Sequence, residues 1–219
     1  MNRNNIEWKN HIIELIVVFI GITLAFTLNS WREDTKDNKL EDQYLRSFHE
    51  EVVYSSTKLD TIIKTNKKIL KYLSTTIELL KTNEFSPDST LGVISQMAQI
   101  NLFIPKTNTY DSIKNSGNFN IIDNYKIRSK IIEYYESFEG KKLVEEYYKM
   151  YINNYIVPYL FENVDILNTK IMNKEKIEGY RLNNLIIGYY QLLVQVVDTY
   201  ENIYNLNKLL ITALENENQ

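Results

Sequence analysis

Cysteine is absent from the chain, which excludes disulfides, thiolate metal sites and a cysteine nucleophile. Only 3 prolines and 6 glycines interrupt its 219 residues, a scarcity that argues against a turn-rich β fold and for long helices. Histidine is almost missing as well. His11 lies at the edge of an apolar run, and His49, beside Glu50 and Glu51, reads as part of a solvated helix face, so no metal ligands are assigned. No charge sign dominates: 25 basic against 28 acidic side chains leave −3. That balance exerts no broad pull on nucleic acid, and no nucleic-acid partner is expected. There is no Gly-rich phosphate loop, no Gly-x-Ser-x-Gly elbow and no His-Glu-x-x-His pair. Glu145 and Glu146 are helix neighbours that point apart, not an acid/base pair. The expectation is therefore no catalytic residue, no cofactor and no enzyme.

What is present is apolar and aromatic. Hydrophobic residues make up 44% of the chain, enough for a real core, and tyrosine reaches 17. The bias toward Asn, Lys and Ile reads as AT-rich coding and carries no functional message. Residues Ile12 to Leu28 run IIELIVVFIGITLAFTL, with Glu14 the one charge. The chain's 2 tryptophans, Trp8 and Trp31, flank this run. Along a helix they lie roughly 34 Å apart. A bilayer hydrocarbon core is about 30 Å thick, so the two indoles would mark opposite membrane interfaces.

The run is read as a transmembrane helix with the lipid bilayer as its partner. A buried core helix of this length is rarely apolar all round. A cleaved signal peptide has a shorter apolar core and a small-x-small site, which Thr27-Leu28-Asn29-Ser30-Trp31 does not match. The chain then divides into a short N-terminal tail (1–11), a transmembrane anchor (12–31) and a helical bundle domain (32–219). Within the span, Gly21 and Ala25 form a small-x-x-x-small pair, a candidate helix-packing face. Glu14, about 9 Å inside Trp8 by helix rise, is a candidate intramembrane polar site. The alternative is that it snorkels to the interface or is protonated. Orientation stays open. Arg32, Lys36, Lys39 and Arg46 outnumber Arg3 and Lys9, which favours a cytoplasmic C-terminal side. A long domain can cross regardless of that bias, and a short basic tail suits an N-in anchor with an extracytoplasmic C-terminal domain, the reading adopted.

Asn38 to Phe85 is predicted as one long helix. Leu45, Phe48, Val52, Ser55, Leu59, Ile62, Asn66, Ile69, Leu73, Thr76 and Leu80 alternate spacings of three and four, a coiled-coil-like heptad seam. Tyr44, Ile63, Leu70 and Ile77 broaden it toward a bundle face. Ser55, Asn66 and Thr76 would weaken the seam and set its register. Ser86-Pro87-Asp88-Ser89 is the predicted break, followed by short helices over Thr90 to Leu102, ended by Pro105, and Tyr110 to Asn115. Gly117 is the predicted left-handed cap of a structural corner, and Asp123 the predicted N-cap of a helix over Asn124 to Tyr159. Gly140 is a possible bend in that helix, and Pro158 lies near its end. A polar connection over Asn168 to Lys176 then leads to a final helix, Lys176 to Leu214. The fold class is all-α: an N-terminal transmembrane helix followed by an elongated helical bundle.

The segments ELIVVFIGITLAFTLNSWRED and TYDSIKNSGNFNIIDNYKIRSKIIEYYE give the chain a second signal. With Asn29 and Trp31 after the span, then Tyr110, Ile113, Gly117, Tyr134 and Tyr135 around the corner, it resembles an uncharacterised Bacteroidota family of single-pass membrane proteins. The resemblance covers most of the chain and is weakest over the last helix. It implies a location in the bacterial inner (cell) membrane and imports no activity.

Tyrosines crowd two helices: Tyr134, Tyr135, Tyr147, Tyr148, Tyr151, Tyr155 and Tyr159 on one, and Tyr189, Tyr190, Tyr200 and Tyr204 on the last. They read as amphipathic packing, with a protein-interaction face and a ligand-stacking pocket as alternatives. The function expected is a membrane-anchored helical scaffold or accessory/interaction subunit that self-associates as a homo-oligomer or binds a membrane-protein partner. The alternatives are an extracytoplasmic small-ligand sensor and an oligomeric channel or ion-pathway component using Glu14.

Overall fold

A computed structural model of the protein describes residues 4–172 and 179–217. Its first element, α1, runs from Asn4 to Lys81 as one helix of 78 residues. No proline falls inside it and Gly21 is its one glycine, so nothing breaks the hydrogen-bond ladder. The helix runs without a break through residues 12 and 32, where the expected anchor begins and ends. The helix stops ahead of the expected Phe85. Asn83 takes φ 56°. The Glu84 N–H then reaches the Leu79 carbonyl at 2.9 Å, and the Asn83 N–H reaches that of Leu80 at 3.4 Å. This is a Schellman end built on asparagine, one of the few side chains that tolerate the left-handed region.

Helix α2 covers Thr90–Met97, shorter than expected, and residues 98–106 continue as a non-helical strap. Helix α3 (Asn108–Ser116) ends at Gly117, whose φ of 70° is the left-handed cap predicted for it. A 3₁₀ turn, Asn118–Ile121, follows. Helix α4 spans Tyr125–Tyr151. Its N-cap is Asn124 rather than Asp123: the Asn124 Oδ1 accepts from the N–H of Lys126 at 3.0 Å and of Ile127 at 3.4 Å. Asp123 instead donates its N–H to Glu41 Oε1 on α1, at 2.8 Å.

The helix passes Gly140 unbroken and widens into a π turn at Ile152–Ile156, just before α5 (Val157–Asn163). Pro158 in the first turn of α5 has no N–H to return to the preceding turn, which accounts for the widening there. A small hairpin begins ahead of the expected polar connection and overlaps its start. Val164–Asp165 (β1) pairs antiparallel with Lys170–Ile171 (β2). Asp165 Oδ1 and Oδ2 accept from the N–H and Nδ2 of Asn168 at 3.1 and 2.7 Å, and Thr169 takes φ 50°. Lys176, the expected start of the final helix, lies outside the described residues; α6 is described over Tyr180–Glu217. The fold is all-α apart from this hairpin.

Helix α6 runs back along α1 and also packs on α4. Its Asn207 Nδ2 donates to the Val52 carbonyl at 2.9 Å, Lys67 pairs with Glu201, and Asn124 Nδ2 meets Glu217 Oε2 at 2.9 Å. His49, expected on a solvated face, is half-buried, with Nε2 3.6 Å from Glu215 Oε1. The predicted seam of α1 faces this bundle: Leu45, Phe48, Val52, Ser55, Leu59, Asn66, Ile69, Leu73 and Thr76 are buried, and Leu80 half-buried. Around the middle, burial falls on Ile63 more than Ile62. A straight helix drifts against a strict seven-residue repeat, so the seam steps over by one position. Asn66 is occupied with the strap rather than with register: its Nδ2 donates to the Asn101 carbonyl at 3.3 Å.

Gly117 is the position where the fold most needs glycine. A Cβ there meets no neighbour within 4 Å, so the cost of substitution is conformational rather than steric. Gly117→Val is expected to destabilise the bundle by about 1 kcal/mol or more. A urea-unfolding midpoint unchanged from wild type would refute this.

Candidate functional site

The most exposed apolar surface of the molecule is the N-terminal part of α1. Between Trp8 and Lys81 this helix contains an apolar window of mean hydropathy 2.3, long enough to cross a membrane, and none of the window is buried. Leu15, Phe19, Phe26 and Leu28 are each 63% exposed or more. Trp8 and Trp31 are exposed at the two ends of the window. Glu14 is exposed and lies 3.5 Å from His11 Nδ1, one turn earlier. Gly21 and Ala25 are exposed, and a Cβ on Gly21 would meet nothing within 4 Å. The first fully buried side chain of α1 is Leu45, so a stalk of helix separates the window from the bundle.

The bundle interior contains a second concentration of polar chemistry, and it gathers around the strap. The strap belongs to no helix or strand, so its buried backbone groups take partners from the helices around it. Tyr200 Oη accepts the Phe103 N–H at 2.9 Å, and Lys141 Nζ donates to the Phe103 carbonyl at 3.0 Å. Lys141 also donates to Glu145 Oε1 at 2.9 Å, and Tyr200 donates to the same oxygen at 2.5 Å. The Gln99 carbonyl lies 3.4 Å from Tyr148 Oη, which is 2.7 Å from Tyr189 Oη. Nearer the corner, the buried Glu51 accepts from the Thr109 N–H and hydroxyl, each at 2.9 Å, and from Tyr135 Oη at 2.8 Å. Tyr134 Oη accepts from Asn207 Nδ2 at 3.0 Å.

These contacts bear on two expectations. Glu145 and Glu146 point apart, as expected: Glu146 is exposed, and Glu145 is buried on α4 with Lys141 one turn earlier. The tyrosine cluster is chiefly core. Tyr134, Tyr148, Tyr159, Tyr189 and Tyr200 are fully buried, which removes them from any interaction face. Tyr147 and Tyr155 remain exposed, and Tyr151 lies across Gly188, where an added Cβ would sit 2.8 Å from its Cζ. A Lys-x-x-x-Glu pair between apolar neighbours was the available signal for the buried ion pair. Nothing in the local pattern marked Glu51 as its counterpart on α1.

Burial raises the pKa of the interior phenols. Tyr189 is pushed up to about 12 by burial, offset in part by the hydrogen bond from Tyr148. Tyr148 is raised by burial and then by Tyr189 beside it. Tyr200 is raised by burial and by its bond to Glu145, and Tyr135 by burial and Glu51. Groups held in this way position a backbone. Among the described residues, no cluster of three or more His, Asp or Glu side chains is arranged to hold a metal ion.

No family model matches the chain, and no solved structure matches it. It is similar to the Protein DOP1 homolog of Plasmodium falciparum, with 23% identity over 188 residues. That alignment takes in 80% of this chain and spans only 4% of the length of the larger protein. It shows no family and assigns no activity.

Two outcomes test this interior. Lys141→Met leaves the Glu145 carboxylate buried without its cation and is expected to cost about 3 kcal/mol or more. Lys141→Met combined with Glu145→Gln should recover much of that loss, because the glutamine oxygen still accepts from Tyr200. Additive losses in urea unfolding would contradict the coupling. The second outcome concerns alkaline pH. A phenol with a raised folded pKa keeps its proton in the fold after the unfolded chain has lost it. Its stabilisation is complete below the ordinary value of 10.0 and disappears as pH rises through the folded value, about 12 for Tyr189. Phenolate absorbance should therefore titrate in two classes, the second coinciding with loss of helical circular dichroism. A single class at the ordinary value would refute it.

Proposed function

We propose that the chain is a membrane-anchored helical scaffold or accessory/interaction subunit of a bacterial membrane complex, single-pass in the inner (cell) membrane. The observation that carries this reading is the join between a wholly exposed apolar helix window and a bundle whose core is closed. In water that window would expose far more contiguous apolar area than a soluble monomer tolerates. In lipid the same side chains are solvated, and the helix satisfies its own backbone. Trp8 and Trp31 at the window's ends fit the two interfaces. The resemblance to the Bacteroidota family supports the same location.

The bundle offers a small ligand few free tyrosine hydroxyls: those of Tyr134, Tyr135, Tyr148, Tyr189 and Tyr200 are engaged within the chain, while the buried Tyr159 hydroxyl has no partner among the described residues. That weighs against the sensor reading. Glu14, near one end of the window and close to His11, weighs against a pore-lining role. No enzymatic role is proposed. Self-association belongs to the reading: Gly21 and Ala25 leave an open surface on the span, and confinement to a membrane raises the effective concentration of copies.

The chain is expected to fractionate with membranes and to resist carbonate extraction; release by high pH or salt would overturn the anchor. In mild detergent the full chain should be a homo-oligomer by mass measurement, and Gly21→Ile should weaken it. A chain strictly monomeric across micromolar concentrations would end the self-association part. A truncation starting at Asn38 keeps every buried residue of α1. If it assembles as well as the full chain, the contact lies in the bundle, not in the span.

A further inference from the structure

We infer that the stalk of α1 just beyond Trp31 is a binding groove for the anionic phospholipid headgroups of the bilayer that holds the span. This rests on the membrane-anchor reading and adds a ligand to it. The groove has a volume of about 470 Å³ and is lined by Trp31, Arg32, Thr35, Lys36, Lys39 and neighbouring residues, none of them acidic. Arg32, Lys36 and Lys39 are exposed, and among the described residues none of the three has a carboxylate within ion-pair distance.

The segment is not basic by composition, because Glu33, Asp34, Asp37, Glu41 and Asp42 alternate with the cations. Helical geometry separates them. At about 100° per residue, Arg32, Lys36 and Lys39 fall within roughly 60° of one another, whereas Asp37, Glu41 and Asp34 fall on the opposite side. That opposite side turns toward the bundle, where Glu41 accepts the Asp123 N–H. Glu33 accepts from Asn29 Nδ2 at 3.2 Å, and Asp42 lines a separate groove with Glu41 and Glu217. One face of the stalk is therefore cationic without internal counter-ions, and the bundle does not cover it.

The height fits as well. With Trp31 at the hydrocarbon edge, Arg32 and Lys36 lie within about 8 Å of it along the axis. The headgroup layer is roughly that thick. Lys39, about 12 Å above, reaches down along its own stem. A phosphodiester supplies the missing counter-charge, Trp31 gives its acyl and glycerol end an apolar wall, and Arg32 can grip two phosphate oxygens at once. Each basic side chain near an anionic surface adds about fivefold to the partition.

The test uses the full chain purified in mixed micelles of phosphatidylcholine and phosphatidylglycerol in equal amounts. Native mass spectrometry reads the lipids retained, and flotation with liposomes checks insertion separately. The anionic lipid is expected to be enriched about fivefold or more on the wild type. Arg32→Gln/Lys36→Gln/Lys39→Gln should float equally well and retain the two lipids without preference. Lys36→Arg/Lys39→Arg should keep the enrichment, which distinguishes a charge site from a disturbed helix. Failure of the wild type to float would overturn the anchor. Normal flotation with no anionic preference, or a preference that survives the triple glutamine variant, would overturn the headgroup site while leaving the anchor intact.

Discussion

Because α1 continues unbroken from Asn4 to Lys81, the rotational phase of its two ends is locked. A hinge or linker between the apolar window and the bundle would let each choose its own facing. Here a residue's direction at one end dictates what lies on the same side at the other. Taking about 100° per residue, Gly21 and Ala25 share a face with Arg32, Lys36 and Lys39. The seam that begins at Leu45 and Phe48 lies on nearly the opposite side. The bundle therefore leans away from the face that carries the small residues and the cations.

The rest of the bundle answers a problem set by α1 and α6. Two long antiparallel helices leave a groove, and α4 fills one side of it. The strap at residues 98–106 crosses this arrangement outside any helix or strand, and where it is buried, as at Phe103, an unmatched N–H or C=O is costly. Lys141, Glu145, Tyr148, Tyr189 and Tyr200 supply the matches from two different helices. Glu51, Thr109 and Tyr135 repeat the solution from α1, α3 and α4. Tyrosine suits the task because its ring contributes apolar packing while its hydroxyl reaches a polar group about 6 Å from the Cα. The interior accounts for 7 of the 17 tyrosines; others, such as Tyr54, Tyr125 and Tyr180, are exposed.

Periodicity made the helices legible in the sequence. The seam of α1 could be read because spacings of three and four leave the same face toward the bundle over many turns. Gly117 could be read because glycine after a short helix has a single mechanical use. Chain ends were harder. Asn83 and Asn124 act through backbone conformation and capping, and asparagine is so frequent here that neither stood out. The π turn at Ile152–Ile156 is invisible to a helical pattern that tolerates a wide turn, and the hairpin is too short to display alternation. The buried Lys141–Glu145 pair was missed because sequence neighbours cannot reveal that the partner wall is a strap from residues 99 to 103. Of the candidate site, the exposed apolar run, the tryptophans that flank it and the small-residue pair were visible in the sequence; the separation of stalk charges by face was visible only once the helix was known to be continuous.

That continuity also constrains how copies could meet. Two parallel helices in contact through Gly21 and Ala25 bring their Arg32, Lys36 and Lys39 stripes toward each other. Parallel contact all along the stalk would set like charges side by side in a medium of falling dielectric screening, which is unfavourable. Small-residue pairs, however, favour a right-handed crossing near −40°, with the closest approach at the small residues and divergence beyond. By the height of Lys36, more than 15 Å past the crossing, two such helices are offset sideways by about 10 Å. The gap is then wide enough for headgroup phosphates to lie between the stripes. Close packing inside the span and anion binding at its edge are compatible on the same face only with this splayed geometry. It also carries the bundles outward, since each lies on the far side of its own helix.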